Sequence, residues 1–184
     1  MDVDIRLARL EDLNRVIELQ TQSLKILGSA NYSPQQIQAL VTGQAAWRGR
    51  DEVLFLAESA GQLVGFSGLS TQNQQITAVY THPQFARQGV GTQVLQALET
   101  AAIEKRYHSL WVISSLTAVN FYQVRGYKLL RKSGFRAEGG EWIACFVLKK
   151  RLYSTAHAAK HSTYILPILL MSLLSGALIL ALLR

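Results

Sequence analysis

The run "QQITAVYTHPQFARQGVGTQVLQALETAAIEKRY", residues 74–107, constrains the fold more than any other stretch of the chain. Its β-branched start reads as an extended strand, and Pro83 biases the residues before it toward the same conformation. Gly89 and Gly91 then supply a tight turn. Beyond them Val94, Leu95, Leu98, Ala101, Ala102 and Ile103 recur at helical spacing, which predicts an amphipathic helix. A strand that turns through glycine into a helix exposes unpaired N–H groups at the helix start, where phosphate oxygens can bind. Arg87 and Gln88 add side-chain donors. The same pattern also serves as an ordinary structural connection. The stretch lacks the Lys-Ser/Thr ending of an ATP-binding P-loop and follows a middle strand, not the first strand of a dinucleotide-binding unit.

The flanking segments alternate between the two periods. "VDIRLARL" reads as a strand. Leu13, Val16, Ile17, Leu19 and Leu24 predict a helix with Glu11 and Asp12 at its positive end. "NYSPQQIQALVTG" starts a second helix, with Ser33 as cap, Pro34 at the first position, Gln36 at the third and Gly43 as its stop. "VLFLAES" and "GQLVGFSGLS" are strands joined by a tight turn near Ala60-Gly61. "HSLWVISS" is a further strand and "LTAVNFYQVRGY" a short helix ending at Gly126. The remainder to Leu148 reads as a loop and a final strand from Trp142. The order predicts an α/β fold: a mixed central sheet with helices on both faces.

Of the 184 residues, 19 are Lys or Arg and 12 Asp or Glu, a formal net charge of +7. A basic surface suits an anionic cofactor, an anionic membrane or nucleic acid alike. Zinc-finger spacing, a low-complexity basic arm and RNA-binding aromatic motifs are all missing, so no nucleic-acid partner is expected. Cys145, the single cysteine, excludes an internal disulfide and a thiol metal cluster. It lies in the apolar "WIACFVL" and reads as a core residue. No metal is expected. The N-terminus carries early acids without a long apolar run, so no cleaved secretory signal is expected.

Composition divides the chain into residues 1–150, a basic and polar linker at 151–164, and "ILPILLMSLLSGALILALL" at 165–183. Those 19 uncharged residues would span about 28 Å as a helix, close to the hydrocarbon thickness of a bilayer. With Lys149, Lys150, Arg151 and Lys160 before it, the segment reads as a C-terminal anchor holding the domain on the cytoplasmic face of a membrane. A hydrophobic helix docked on protein, leaving the chain cytoplasmic, is the other reading. A homodimer is compatible with either.

"VYTHPQFARQGVGTQVLQALE" and "SSLTAVNFYQVRGYKLL", at this separation and in this element order, resemble the GCN5-related N-acetyltransferase (GNAT) family over about residues 3–150. The family's pyrophosphate loop, Gln/Arg-x-x-Gly-x-Gly/Ala, is similar to Ala86 through Gly91, with Ala86 in place of the first side chain. The resemblance implies acetyl-coenzyme A as acyl donor, held by Arg87, Gln88, Gly89, Val90, Gly91 and Thr92. Ala118 and Tyr122 resemble the family's Ala-x-x-x-Tyr segment, and Ser115 stands where an Asn is frequent. It implies direct attack by an amine on the thioester, with Tyr122 as the general acid toward the departing thiolate and the amide of Val79 or Tyr80 polarising the carbonyl.

The family's frequent strand glutamate is missing from "QQITAV". Glu58 or His82 is the possible base, His108 and Glu141 are further candidates, and a water chain is an alternative. The acceptor is expected between "LGSANYSPQQ" and the loop around Gly134–Glu141, with Tyr32 and Trp47 as lining residues. A small-molecule primary amine is favoured over a protein N-terminus or lysine. A non-catalytic acetyl-coenzyme A sensor or membrane-attached interaction module is the competing function.

Overall fold

The structure, a computed structural model, describes residues 2–44 and 48–152. Seven strands form one sheet: β1 (Asp4–Leu7), β2 (Glu52–Ser59), β3 (Gln62–Ser70), β4 (Gln75–Thr81), β5 (Ser109–Ser115), β6 (Lys128–Arg136) and β7 (Trp142–Arg151). Their order is β1-β2-β3-β4-β5-β7-β6. Only β4 and β5 run parallel; the other neighbours are antiparallel. Four helices complete the domain: α1 (Leu13–Leu27), α2 (Pro34–Gln44), α3 (Val90–Glu104) and α4 (Val119–Gln123).

The pleat sorts each central strand onto two cores. Leu54 and Leu56 of β2, with Phe66 and Ala78, pack against Val16 and Leu19 of α1. Their neighbours Phe55 and Ala57 point the other way, toward Leu95 and Leu98 or Val90 and Val94 of α3. Both sheet faces are therefore buried in the middle, which is why β3 reads as a nearly continuous apolar run. The α2 cap forms as its residues require. The Gln36 N–H donates to Ser33 Oγ at 3.2 Å, and the Ser33 N–H donates to Gln36 Oε1 at 2.9 Å. The β2–β3 hairpin turns through Ala60 and Gly61, both left-handed at φ 50° and 78°, the geometry of a two-residue turn matched to strand twist.

Two local expectations are corrected. Gly43 lies inside α2, which continues to Gln44. Residues 128–136, read as loop, form the nine-residue edge strand β6. Most of β6 is exposed, so its burial imposes no alternation on the sequence, and its Lys and Arg residues suit an unpaired edge. The apolar segment 165–183 and Trp47 lie outside the described residues. Among the described residues no helix is long and apolar enough to cross a membrane.

A charge cluster closes the open edge near β1. Arg6 donates to both carboxylate oxygens of Asp12, at 2.7 and 2.8 Å, and to Glu58 at 2.8 and 3.0 Å. The Arg6 guanidinium, then the Arg9 N–H, hold the Asp12 carboxyl well below the usual carboxylate range, and Arg6 lowers Glu58 in the same way. A carboxyl depressed in the folded state stabilises the fold above its unfolded pKa of about 4, and that contribution is lost as pH falls. Asp12→Asn is expected to reduce stability at neutral pH and to make the acid limb of the stability–pH curve shallower. Denaturant melts between pH 7 and 3 would measure both effects.

Candidate active site

β4 carries a bulge. Gly68 opposes Ala78 but Leu69 opposes Ile76, leaving Thr77 as the extra residue. β4 pairs with β5 only at Gln75↔Trp111 and Ile76↔Val112. Past that point β4 stays with β3 to Thr81, while β5 follows β7 to Ser115, and a wedge opens between them. The His82 N–H bonds to the Val64 carbonyl at 2.9 Å. Antiparallel alternation then turns the Tyr80 N–H onto β3, and those of Val79 and Thr81 into the wedge. Of the two amides expected at the thioester, Val79 faces the opening. The Tyr80 side chain packs beside Phe66 at 5.4 Å on the α1 face.

At the mouth of the wedge the chain makes a short 3-10 turn, Pro83–Phe85. The His82 imidazole caps it, with Nδ1 accepting from the Gln84 N–H at 3.3 Å and the ring edge-on to Phe85 at 5.6 Å. His82 is thereby engaged as a cap, which leaves that nitrogen committed to the turn. Arg87 at φ 64° and Gly89 at φ 90° are left-handed and curl the loop before α3 begins. Gln88 Nε2 donates back to the Gln84 carbonyl at 3.0 Å. Arg87, Gln88 and Gly89 are exposed, and the first N–H groups of α3 find no partner within the helix. Val90 contributes only backbone here, because its side chain is core, packed with Ala57, Val64 and Val94. At Gly91 a Cβ would stand 3.3 Å from both Phe121 Cε2 and Thr81 Oγ1. Glycine at that position lets the α3 start, the β4 end and α4 converge. The surface they form has a backbone donor set and an Arg, which fits a pyrophosphate.

Tyr122 lies on α4, 3% exposed, edge-on to Phe121 at 5.1 Å and to Tyr127 at 5.4 Å. Among the described residues its hydroxyl has no hydrogen-bond partner. Burial, with the neighbouring Tyr80, pushes it well above the ordinary tyrosine value, so it keeps its proton throughout the neutral range. Ser115 ends β5 and Ala118 caps α4, packing into the α3-side core.

Arg125, not singled out from the sequence, joins these parts. It donates to the Phe121 carbonyl at 2.8 Å and to Thr92 Oγ1, with its guanidinium 3.9 Å from the Phe121 ring centre. Thr92 is thus tied to α4 through its side chain. The visible signal was a cation three residues after the tyrosine, whose partner Thr92 lies 33 residues away in sequence.

The two segments expected to bound the acceptor line one groove, and Tyr32 takes a different role from the expected lining residue. Tyr32 is 6% exposed, and its hydroxyl donates to the Ala144 carbonyl at 2.8 Å and accepts from the Leu116 N–H at 2.9 Å. That bond pair makes it a strut between β7 and the end of β5, with no free hydroxyl for a substrate. Beside it Pro34, Gln35, Gln38 and Thr42 face Glu138, Gly139 and Glu141 across an open groove of about 570 Å³.

The expected bases fare differently. Glu58 accepts from Arg6 and from Arg15 at 3.0 Å, at the β1 side of the sheet. That ion pairing lowers its basicity and holds it away from the wedge. His108 precedes β5, at the opposite end of that strand from the opening. Glu141 stands at the acceptor groove.

Four likenesses bear on this arrangement. Residues 29–144 match the family model described as an acetyltransferase (GNAT) domain. An uncharacterized N-acetyltransferase, YafP, of Escherichia coli (strain K12) is 24% identical over 151 residues, 80% of this chain and 95% of the relative. The crystal structure of a GCN5-related N-acetyltransferase from Rhodopseudomonas palustris superposes with a TM-score of 0.78 at 27% identity, covering 83% of this chain and 97% of that one. The PaiA N-acetyltransferase of Thermoplasma acidophilum, solved in complex with coenzyme A, has a TM-score of 0.66 at 19% identity, covers 82% of this chain and 99% of its own, and speaks for the fold alone.

Proposed function

This chain belongs to the GNAT acetyltransferase family, and we propose that it transfers the acetyl group of acetyl-coenzyme A to a small primary amine by direct attack. The observation that carries the reading is the meeting of the α3 start at Gly91, the β4 end at Thr81 and Phe121 of α4, where β4 and β5 part, with Tyr122 the next residue on α4.

Acetyl-coenzyme A supplies an acyl group already activated as a thioester, so placement does most of what catalysis needs. The loop Arg87–Thr92 holds the pyrophosphate through backbone N–H groups and the Arg87 side chain, which takes the place of the donor absent at Ala86. The Val79 N–H binds the oxygen on which negative charge develops. Tyr122 donates its proton to the departing thiolate, and burial keeps the resting hydroxyl protonated. Glu58 is held by Arg6 and Arg15 and His82 Nδ1 by the turn, and we take the amine proton to leave through water.

We take the groove between α2 and residues 138–141 as the acceptor entrance, because its carboxylates Glu138 and Glu141 suit a positively charged amine. We place the domain on the cytoplasmic face of a membrane, held by the apolar segment 165–183, on the strength of that segment's composition. An assay of thiol release from acetyl-coenzyme A against a panel of small amines, basic peptides and peptide N-termini tests the acceptor. Turnover confined to small amines supports the reading. Turnover on peptides alone moves the assignment to a protein acetyltransferase, and tight coenzyme binding without turnover on any amine makes the domain a sensor.

A further inference from the structure

The bulge residue Thr77 is not free to relax. Its hydroxyl donates to Glu52 Oε2, a carboxylate from the first residue of β2, two strands away. Glycine at position 68 of the intervening strand makes the reach possible. A Cβ there would stand 2.9 Å from Glu52 Oε2 and 3.0 Å from Leu54 Cδ2, and would collide with the Thr77 hydroxyl. Glu52 is itself fixed: the Arg48 guanidinium donates to both its oxygens, at 3.0 and 2.8 Å, and the Gly49 N–H to one of them at 2.7 Å. Arg48 also donates to Gln20 Oε1 of α1 at 2.9 Å. The Glu52 side chain is 1% exposed. Its oxygens are occupied by Arg48, Gly49 and Thr77, and it is the one carboxylate bonded to a β4 side chain among the described residues.

Its effect lies in the register. An extra residue in a strand shifts everything after it by one position. Without the bulge at Thr77, the Val79 N–H would turn onto β3, and the alternate amides would face the wedge. We propose that Glu52 and Thr77 are positioning residues for acyl transfer: the buried carboxylate pins the bulge, and the bulge aims the Val79 N–H at the thioester carbonyl. The proposal rests on the acetyl-transfer reading. Neither residue touches the reacting atoms. The coenzyme cradle at Arg87–Thr92 belongs to a separate loop, so coenzyme affinity and carbonyl polarisation are separable.

The test compares Thr77→Val, which keeps the volume and removes the hydroxyl, with Thr77→Ser, which keeps the hydroxyl. The readouts are kcat, KM for acetyl-coenzyme A, and the isotope-edited infrared stretch of the bound [13C]acetyl carbonyl. Misaiming one preorganised donor is expected to lower kcat by about tenfold or more. Thr77→Val should show that loss with KM within about twofold of wild type, and its carbonyl stretch should move toward that of free acetyl-coenzyme A. Thr77→Ser should retain both wild-type values. A Thr77→Val protein with wild-type kcat and carbonyl stretch, destabilised or not, overturns the proposal, as does a Thr77→Ser protein that behaves like Thr77→Val. If the wild-type protein takes up no acetyl-coenzyme A, the acetyl-transfer reading fails and the positioning role falls with it. Normal uptake by wild type and Thr77→Val with the same stretch removes the positioning role alone.

Discussion

Tyr122→Phe is expected to lower kcat by about 10²- to 10⁴-fold, the range for losing a positioned general acid. KM for acetyl-coenzyme A should change little, because the phosphate donors sit on the α3 start and not on α4. The ring contacts with Phe121 and Tyr127 survive the substitution, and the lost hydroxyl leaves no described partner unpaired, so folding should be close to wild type. Steady-state kinetics at saturating amine, with a thermal melt as control, measure the split. The pH profile carries a second signature. Burial raises Tyr122, so the rate should climb as the amine loses its proton, with no descending limb below about pH 10. A kcat for Tyr122→Phe within a few-fold of wild type would make Tyr122 a packing residue.

The largest effect on stability is expected at Arg48. Its side chain is fully buried, paired with Glu52 at 2.8 Å and stacked 5.5 Å from the Phe66 ring centre. Arg48→Met keeps much of the volume but strands the Glu52 charge, a change that typically costs about 3–5 kcal/mol. For a domain of this size that corresponds to a fall in Tm on the order of 10 °C. Adding Glu52→Gln should recover part of the loss, because the double variant buries no unpaired charge. Circular-dichroism melts of the two singles and the double would measure the coupling. Additive losses would mean that the pair contributes nothing beyond packing.

Much of the fold was legible because central strands and helices obey different periods. α1, α3 and the β2–β3–β4 run follow directly from apolar spacing, and Ser33, Pro34 and Gln36 mark the start of α2 by cap chemistry. β6 was not legible, since an edge strand exposed along most of its length leaves no burial pattern to read. At the site, the glycine turn and Tyr122 are local signals that a sequence carries on its face. The links through Arg125, through Glu52 and through Tyr32 are not. Glu52 and Thr77 are 25 residues apart and meet only because Gly68 lacks a side chain. Tyr32 looked like a substrate contact because aromatic type and position suggested it, but its hydroxyl bonds to backbone 84 and 112 residues away. Glu58 likewise looked available until Arg6 and Arg15 were seen to hold it.

The central claim is that acetyl passes directly from the thioester to an amine within the wedge between β4 and β5. A single-turnover experiment with [13C]acetyl-coenzyme A in slight deficit to enzyme, quenched over time and read by mass spectrometry of both protein and amine, addresses it most directly. Direct transfer predicts label on the amine in step with release of free coenzyme A, and unmodified protein at every time point. Label passing through the protein, at Cys145 or any other residue, before it reaches the amine would contradict the account, as would label released only as acetate.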